Sequence, residues 1–123
     1  MKLENGAWVV RGGLATAESL INGTAEHVDV PGLVGFSVQA RNGATVAELA
    51  HSGQFPNRQV SVTTAGQVRG LGLDVVPSPG HGNHATVVTE LPLPSELASR
   101  LSDLFLRMDN PSRSVRGHPR RGS

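Results

Sequence analysis

The chain has 123 residues, a net charge of +1, 37% hydrophobic residues and 15 glycines, which suits one domain with a modest core. It contains no cysteine, so disulfides, thiol catalysis and cysteine-ligated zinc are excluded. Aromatic residues make up 3% and tyrosine is absent, which argues against a stacking surface for single-stranded nucleic acid. We expect no membrane span. The first residues, MKLENGAWVV, lack the layout of a classical secretory signal, so we expect a cytoplasmic protein or one exported by another route.

Basic residues are concentrated at the C-terminal end. Residues 110–123, NPSRSVRGHPRRGS, contain several arginines and no acidic residue. A segment of Pro, Ser, Gly and Arg cannot bury a core, so we expect a domain over residues 1–109 and a disordered Arg-rich tail over 110–123. The alternative for the tail is a weak electrostatic contact with nucleic acid or an acidic partner. Apart from that contact, nucleic acid is not an expected partner.

The first third of the chain predicts a strand, a helix and a second strand. Residues 7–13, AWVVRGG, form a short apolar run that two glycines end. Thr16 is a plausible N-cap for a helix, and Gly23 is placed to end it. Residues 33–40, LVGFSVQA, predict a strand with Phe36, Val38 and Ala40 on one face.

The middle of the chain repeats one sequence pattern, in which a strand or loop is followed by a capped helix. In GATVAELAHSG, Thr45 and Glu48 have the spacing of a capping box, and Gly53 is placed to close the helix. QVSVTT, residues 59–64, alternates as a half-buried strand does. Thr64 and Gln67 repeat the box spacing, but nearby glycines predict a very short helix.

The last third predicts two strands and the longest helix. LDVV and HATVV flank the insert PSPGHGN. Residues 95–108 place an apolar stripe at helical spacing. The order of these elements predicts a single α+β domain with a small mixed or mainly antiparallel sheet, short peripheral helices and a longer C-terminal helix. The residues of the stripe are Leu97, Leu101, Leu104, Phe105 and Met108.

The insert PSPGHGN has two interpretations. Its prolines stiffen the backbone, while Gly80 and Gly82 permit close backbone approach and leave His81 exposed. It is either a plain hairpin connection or a loop that contacts a phosphate or a nucleotide. His81 and His84 are three residues apart, but Glu90 is the only acidic residue nearby. We therefore predict no metal site.

Three polar residues in strand contexts are candidates for chemistry. Arg11 follows an apolar strand and either ends it in a salt bridge or grips a phosphate or carboxylate with its planar fork. Ser37 interrupts an apolar run, and either hydrogen-bonds within the sheet or lines a cleft. His84 begins HATVV and is either a hydrogen-bonded strand end or a general acid/base. A triad of Ser37, His84 and Asp74 is not predicted, because GFSVQ lacks the nucleophile-elbow turn.

The order VVRGG, GFSVQ, HATVV is similar to that of small ADP-ribosyltransferase-like toxin domains. The resemblance implies a compact NAD- or nucleotide-handling enzyme, a transferase or glycohydrolase, with NAD held in a cleft between strands. It implies a catalytic set of Arg11, Ser37 and His84 and, as a protein partner, a cognate inhibitor. The late-strand glutamate of that family has only Glu90 as a counterpart here. The ligand-binding residues that we expect are Trp8, Gly80, His81 and Gly82.

The alternative is a non-catalytic interaction module, antitoxin-like or an accessory subunit, whose Gly-rich loops bind a partner protein. The positions of the three candidate residues in space distinguish the enzyme from the interaction module. The enzyme is favoured if Arg11, Ser37 and His84 meet in one concavity, and the module is favoured if they scatter. The sequence does not predict an oligomeric state.

Overall fold

The computed structural model describes residues 2–26, 32–78 and 82–112. These residues contain six strands and four helices. None of the helices in these ranges has the length and apolarity to span a bilayer. The elements are β1 (Trp8–Gly12), α1 (Ala17–Glu26), β2 (Gly35–Ala40), α2 (Val46–Gly53), β3 (Gln59–Thr64), α3 (Ala65–Arg69), β4 (Asp74–Pro77), β5 (His84–Val88), α4 (Ser95–Leu104) and β6 (Leu106–Asp109).

The strands form one sheet in the order β4-β5-β2-β1-β3-β6. Every neighbouring pair is antiparallel. This confirms the predicted α+β class with a mainly antiparallel sheet. The sheet is central to the domain, and its two sides bury different clusters.

The main core lies on the side of the sheet that α1, α3 and α4 cover. Alternation along the strands supplies its side chains, because every second residue of a strand faces the same side. A smaller cluster lies on the other side, where α2 packs against β1 and β2. The main core includes Val9, Leu20, Phe36, Val38, Val68, Val75, Ala85, Val87, Ala98 and Leu101, and the smaller cluster includes Val10, Ala44, Leu49, Val60 and Val62.

The predicted helix starts are largely confirmed. The Ser19 N–H donates to the Thr16 hydroxyl over 3.1 Å. At α2 the full capping box forms, with the Glu48 N–H donating to Thr45 Oγ1 over 3.1 Å and the Thr45 N–H donating to Glu48 Oε1 over 2.8 Å. That backbone hydrogen bond from Thr45 lowers the pKa of Glu48. The box at α3 is only half made, because the Gln67 oxygen accepts instead from the Thr63 hydroxyl over 2.8 Å.

The prediction of one helix over residues 95–108 is wrong at its C-terminal end. The helix stops at Leu104, and residues 106–109 form β6 along the edge of β3. The strand pairing satisfies backbone groups that a continued helix would have satisfied within itself. Phe105 is buried where the chain changes direction, whereas Leu106 is 72% exposed.

The composition of residues 110–123 predicts that Asn110 belongs to the tail, but this residue is buried in the domain. Its side-chain amide donates to the carbonyls of Phe55 and Asn57 over 3.2 and 2.9 Å. Its backbone N–H donates to the Arg58 carbonyl over 2.8 Å. A buried amide with these partners fixes the chain after β6 against the loop before β3. Residues 113–123 of the predicted disordered tail lie outside the described residues.

The helix α4 should contribute to stability through Leu101. This side chain is fully buried in the main core, so Leu101→Ala leaves a cavity as well as losing apolar contact. We expect a loss of roughly 2–5 kcal/mol in the free energy of unfolding, measured by urea denaturation. The exposed neighbour Arg100 is the control, and Arg100→Ala should change stability by less than about 0.5 kcal/mol. Equal effects at the two positions would contradict the packing of α4 into the main core.

Candidate functional site

Polar side chains of β2 and β5 share the side of the sheet that faces away from the main core. Phe36 and Val38 lie in the main core, so Ser37 and Gln39, which alternate with them, face the other side. On β5 the same alternation places His84 and Thr86 on that side. The register pairs Ser37 with Thr86 and Gln39 with His84. We call these residues the polar half-face: Ser37, Gln39, Ser78, His84 and Thr86.

The polar half-face lies beside the apolar cluster under α2. That cluster is built on β1 and β3, whereas the polar residues come from β2 and β5. Ser52 of α2 donates to Gln39 Oε1 over 3.0 Å and marks the border between the two regions. Ser37 and His84 are half-buried, and Thr86 is fully buried. One side of the sheet therefore combines an apolar half with a hydrogen-bonding half.

His84 lies between two serine hydroxyls. Its Nδ1 lies 2.7 Å from Ser78 Oγ, and its Nε2 lies 3.0 Å from Ser37 Oγ. Ser78 is buried, and its backbone N–H donates to the His84 carbonyl over 3.0 Å. In a neutral imidazole one ring nitrogen donates and the other accepts. With the proton on Nδ1 donated to Ser78, Nε2 accepts from Ser37, which is the arrangement that activates a hydroxyl.

Arg11 lies on the opposite side of the sheet, under α1. Its Nη1 donates to the Ser37 carbonyl over 2.7 Å, and its guanidinium carbon lies 5.1 Å from the centre of the Phe36 ring. Pairing between β1 and β2 is confined to residues 9–10 and 39–40, so the guanidinium occupies the place where the two strands separate. Burial lowers the pKa of Arg11, but an arginine remains a cation at neutral pH.

Gly23 does not end α1, contrary to the prediction. The helix continues to Glu26. A Cβ at Gly23 would lie 2.5 Å from Arg11 Nη2. The glycine is therefore explained by the guanidinium packed against the helix, and not by a helix end.

The three predicted catalytic residues do not meet in one concavity, although two of them are in contact. Ser37 and His84 are in hydrogen-bond contact. The side chain of Arg11 lies on the other side of the sheet, and its hydrogen bond to Ser37 is made to the carbonyl. Of the carboxylates in the described residues, none forms an ion pair with Arg11; the two ion pairs found there join Arg41 to Glu48 and Arg69 to Asp74.

The predicted ligand-binding residues do not join this group as far as the structure describes them. Trp8 is 42% exposed and lines a separate pocket of about 430 Å³ with Glu4 and Thr45. Gly82 is exposed and has a positive φ of 62°, as a turn glycine does. Gly80 and His81 lie outside the described residues.

The two acidic residues considered from the sequence lie at the other end of β5. Asp74 is paired with Arg69 over 2.9 Å. Although burial opposes it, hydrogen bonds from the Val75 N–H and from Arg69 lower the pKa of Asp74. Glu90 and Asp74 line a pocket of about 410 Å³. Ser78 thus contacts and orients His84, and Asp74 is engaged elsewhere.

Sequence reasoning missed several residues of this region. Gln39 could have been identified from the sequence, because it lies two residues after Ser37 on a predicted strand and so faces the same side. Arg41 continues the same alternation, and its Nη1 lies 3.4 Å from the side-chain oxygen of Asn83, next to His84. No sequence pattern pointed to Ser78, because its contact with His84 depends on how the chain returns from β4 to β5.

No family model, curated protein or solved structure matches the chain. Among residues 2–26, 32–78 and 82–112 there is also no group of three side chains placed to hold a metal ion. The geometry of the polar half-face is therefore the basis for the functional proposal.

The contact between Gly23 and Arg11 predicts an energetic coupling. In the Arg11→Ala background, Gly23→Ala should stabilise α1 by up to about 1 kcal/mol, because alanine is the better helix former. With Arg11 present the new methyl displaces the guanidinium, so the same change should be clearly less favourable. Urea denaturation of the four proteins measures the coupling. Gly6→Ala, whose Cβ would meet nothing within 4 Å, is the control. An equal effect of Gly23→Ala in both backgrounds would contradict the account of this glycine.

Proposed function

We propose that the protein is an enzyme that acts on NAD or a related nucleotide, with the polar half-face as its active site. The observation that carries the proposal is the position of His84 between Ser37 and Ser78. A base in contact with a hydroxyl and oriented by a further hydrogen bond is the arrangement that general acid–base catalysis needs. The resemblance to small ADP-ribosyltransferase-like toxin domains supplies the ligand class.

The residues present fit the ribose and phosphate parts of such a ligand. Serine and threonine hydroxyls, a glutamine amide and an imidazole all exchange hydrogen bonds with ribose hydroxyls. Arg41 lies on the same side of the sheet, where its half-exposed guanidinium pairs with Glu48 over 3.6 Å. A phosphate would compete with that carboxylate for the guanidinium. The described part of the half-face presents no aromatic ring to the nicotinamide. Phe36 is buried in the main core, Phe55 packs against the cluster under α2, and Trp8 lines a separate pocket.

In the proposed reaction each residue has one task. The bond between ribose C1′ and the nicotinamide nitrogen breaks, and its electron pair leaves with nicotinamide. An acceptor hydroxyl or a water molecule forms the new bond to C1′. Its proton passes to Ser37 Oγ, and the Ser37 proton passes to His84 Nε2, which lies 3.0 Å away. Ser37 holds that acceptor or the neighbouring ribose hydroxyl next to the imidazole. Ser78 is a positioning residue, because it contacts Nδ1 and acts through His84.

The test is release of nicotinamide from NAD by the purified chain. His84→Gln should lower the turnover about 10²- to 10⁴-fold, the range for loss of a general acid/base. Ser78→Ala should lower it less, because the imidazole remains, and Ser78→Thr should restore it by keeping the hydroxyl. His51→Gln, on the exposed face of α2, is the matched control. Thermal denaturation of each variant separates loss of activity from loss of folding.

Two results would contradict the proposal. One is wild-type protein that neither binds NAD or nucleotides nor releases nicotinamide. The other is a His84→Gln variant that retains full turnover at unchanged stability. The non-catalytic interaction module is then the better account, and the exposed strand β6 is the observation that favours it.

A further inference from the structure

The edge strand β6 is open to solvent along its whole length. All four of its residues are exposed, and two of them are large and apolar: Leu106 is 72% exposed and Met108 is 40% exposed. An exposed strand at a sheet edge presents unpaired backbone groups that can pair with another strand. Proteins protect such an edge with charged side chains or cover it with a partner strand, and β6 carries the charged residues Arg107 and Asp109.

The hydrogen-bond register shows which backbone groups are unpaired. The Asn110 N–H donates to the Arg58 carbonyl, one position beyond the pair of Asp109 with Gln59. In an antiparallel pair, alternate residues direct both backbone groups toward the partner and the others direct both away. Leu106 and Met108 therefore face β3, whereas Arg107 and Asp109 present their N–H and C=O groups to the free edge.

These groups match those of a second copy of the same strand. In an antiparallel pairing centred on Met108, Arg107 of each copy lies opposite Asp109 of the other. That register makes hydrogen-bonded pairs of the very residues whose backbone groups point outward. It also places opposite charges across from one another, which stabilises a cross-strand pair. Shifting the register by two residues in either direction would place Arg107 opposite Arg107 or Asp109 opposite Asp109.

The apolar residues fit the same register. Met108 lies opposite its own copy in the closely spaced, non-hydrogen-bonded position. Leu106 and Met108 pair with Val62 and Val60, so they lie on the α2 side of the sheet, where a partner strand would partly cover them. The backbone, the charges and the apolar side chains thus favour one symmetric arrangement.

We propose that β6 is a homodimer interface, in which two chains join their sheets by antiparallel pairing of residues 106–109 about a two-fold axis at Met108. A four-residue strand buries less surface than a standard interface, so the dimer forms in a concentration-dependent way. The proposal does not depend on the function of the polar half-face, because that group lies on β2 and β5, away from this edge.

Sedimentation of the full chain over a range of concentrations tests the proposal. The wild-type protein should approach twice the monomer mass as its concentration rises. Arg107→Asp and Asp109→Arg, made singly, should each weaken dimerisation at least about tenfold, because each places like charges opposite one another. Arg100→Asp, a charge reversal on the exposed face of α4, is the control and should dimerise as the wild type does.

Mixing the two single variants gives the decisive result. A heterodimer of Arg107→Asp with Asp109→Arg has opposite charges at both pairs, so the equimolar mixture should recover dimerisation that neither variant shows alone. Circular dichroism confirms that each variant is folded. A wild-type protein that stays monomeric at all concentrations would overturn the proposal. So would single variants that dimerise normally, or a mixture that fails to recover the dimer.

Discussion

The hydrogen bond from Arg11 to the Ser37 carbonyl is the constraint on which the rest of the site depends. It is formed beyond the point where the pairing of residues 9–10 with residues 39–40 ends. A guanidinium placed there needs space in α1, which Gly23 provides, and an aromatic face, which Phe36 provides. Arg11 thereby fixes the backbone of Ser37 from one side of the sheet while the Ser37 side chain acts on the other side.

In this arrangement one side of the sheet supports the fold and the other side carries the candidate site. The side under α1 and α4 carries the main core and the buried cation. The other side carries the hydrogen bonds among Ser37, His84 and Ser78. Because rigid strands hold the imidazole and one hydroxyl, their geometry is set before any ligand arrives, which is the preorganisation that catalysis needs. The proposed function therefore rests on strand residues more than on the glycine-rich loop.

Much of the fold was predictable from local patterns. Alternation located β3 and β5 within a residue, and the capping box of Thr45 and Glu48 located α2. Local patterns failed where a distant partner decided the outcome. The stripe over residues 95–108 has helical spacing throughout, yet residues 106–109 pair with β3, which is far away in sequence. Gly23 resembles a helix end, but its neighbour is a side chain from β1.

The candidate site was predictable only in part for the same reason. Arg11, Ser37 and His84 were expected to meet, and only Ser37 and His84 do so through their side chains. The side of the sheet on which Arg11 lies depends on the pairing of β1 with β2 and on the packing of α1, which periodicity alone does not reveal. The contact of Ser78 with His84 follows from the pairing of β4 with β5 and is not predictable from the sequence around Ser78.

The most direct measurement of the central claim follows the imidazole nitrogens of His84 by NMR while NAD is added to histidine-labelled protein. The His84 signals are assigned by their loss in His84→Gln. The account predicts that they shift saturably with NAD, while those of His51, exposed on α2, stay in place. Saturable binding of NAD that leaves the His84 signals unmoved would contradict it, as would the absence of any binding.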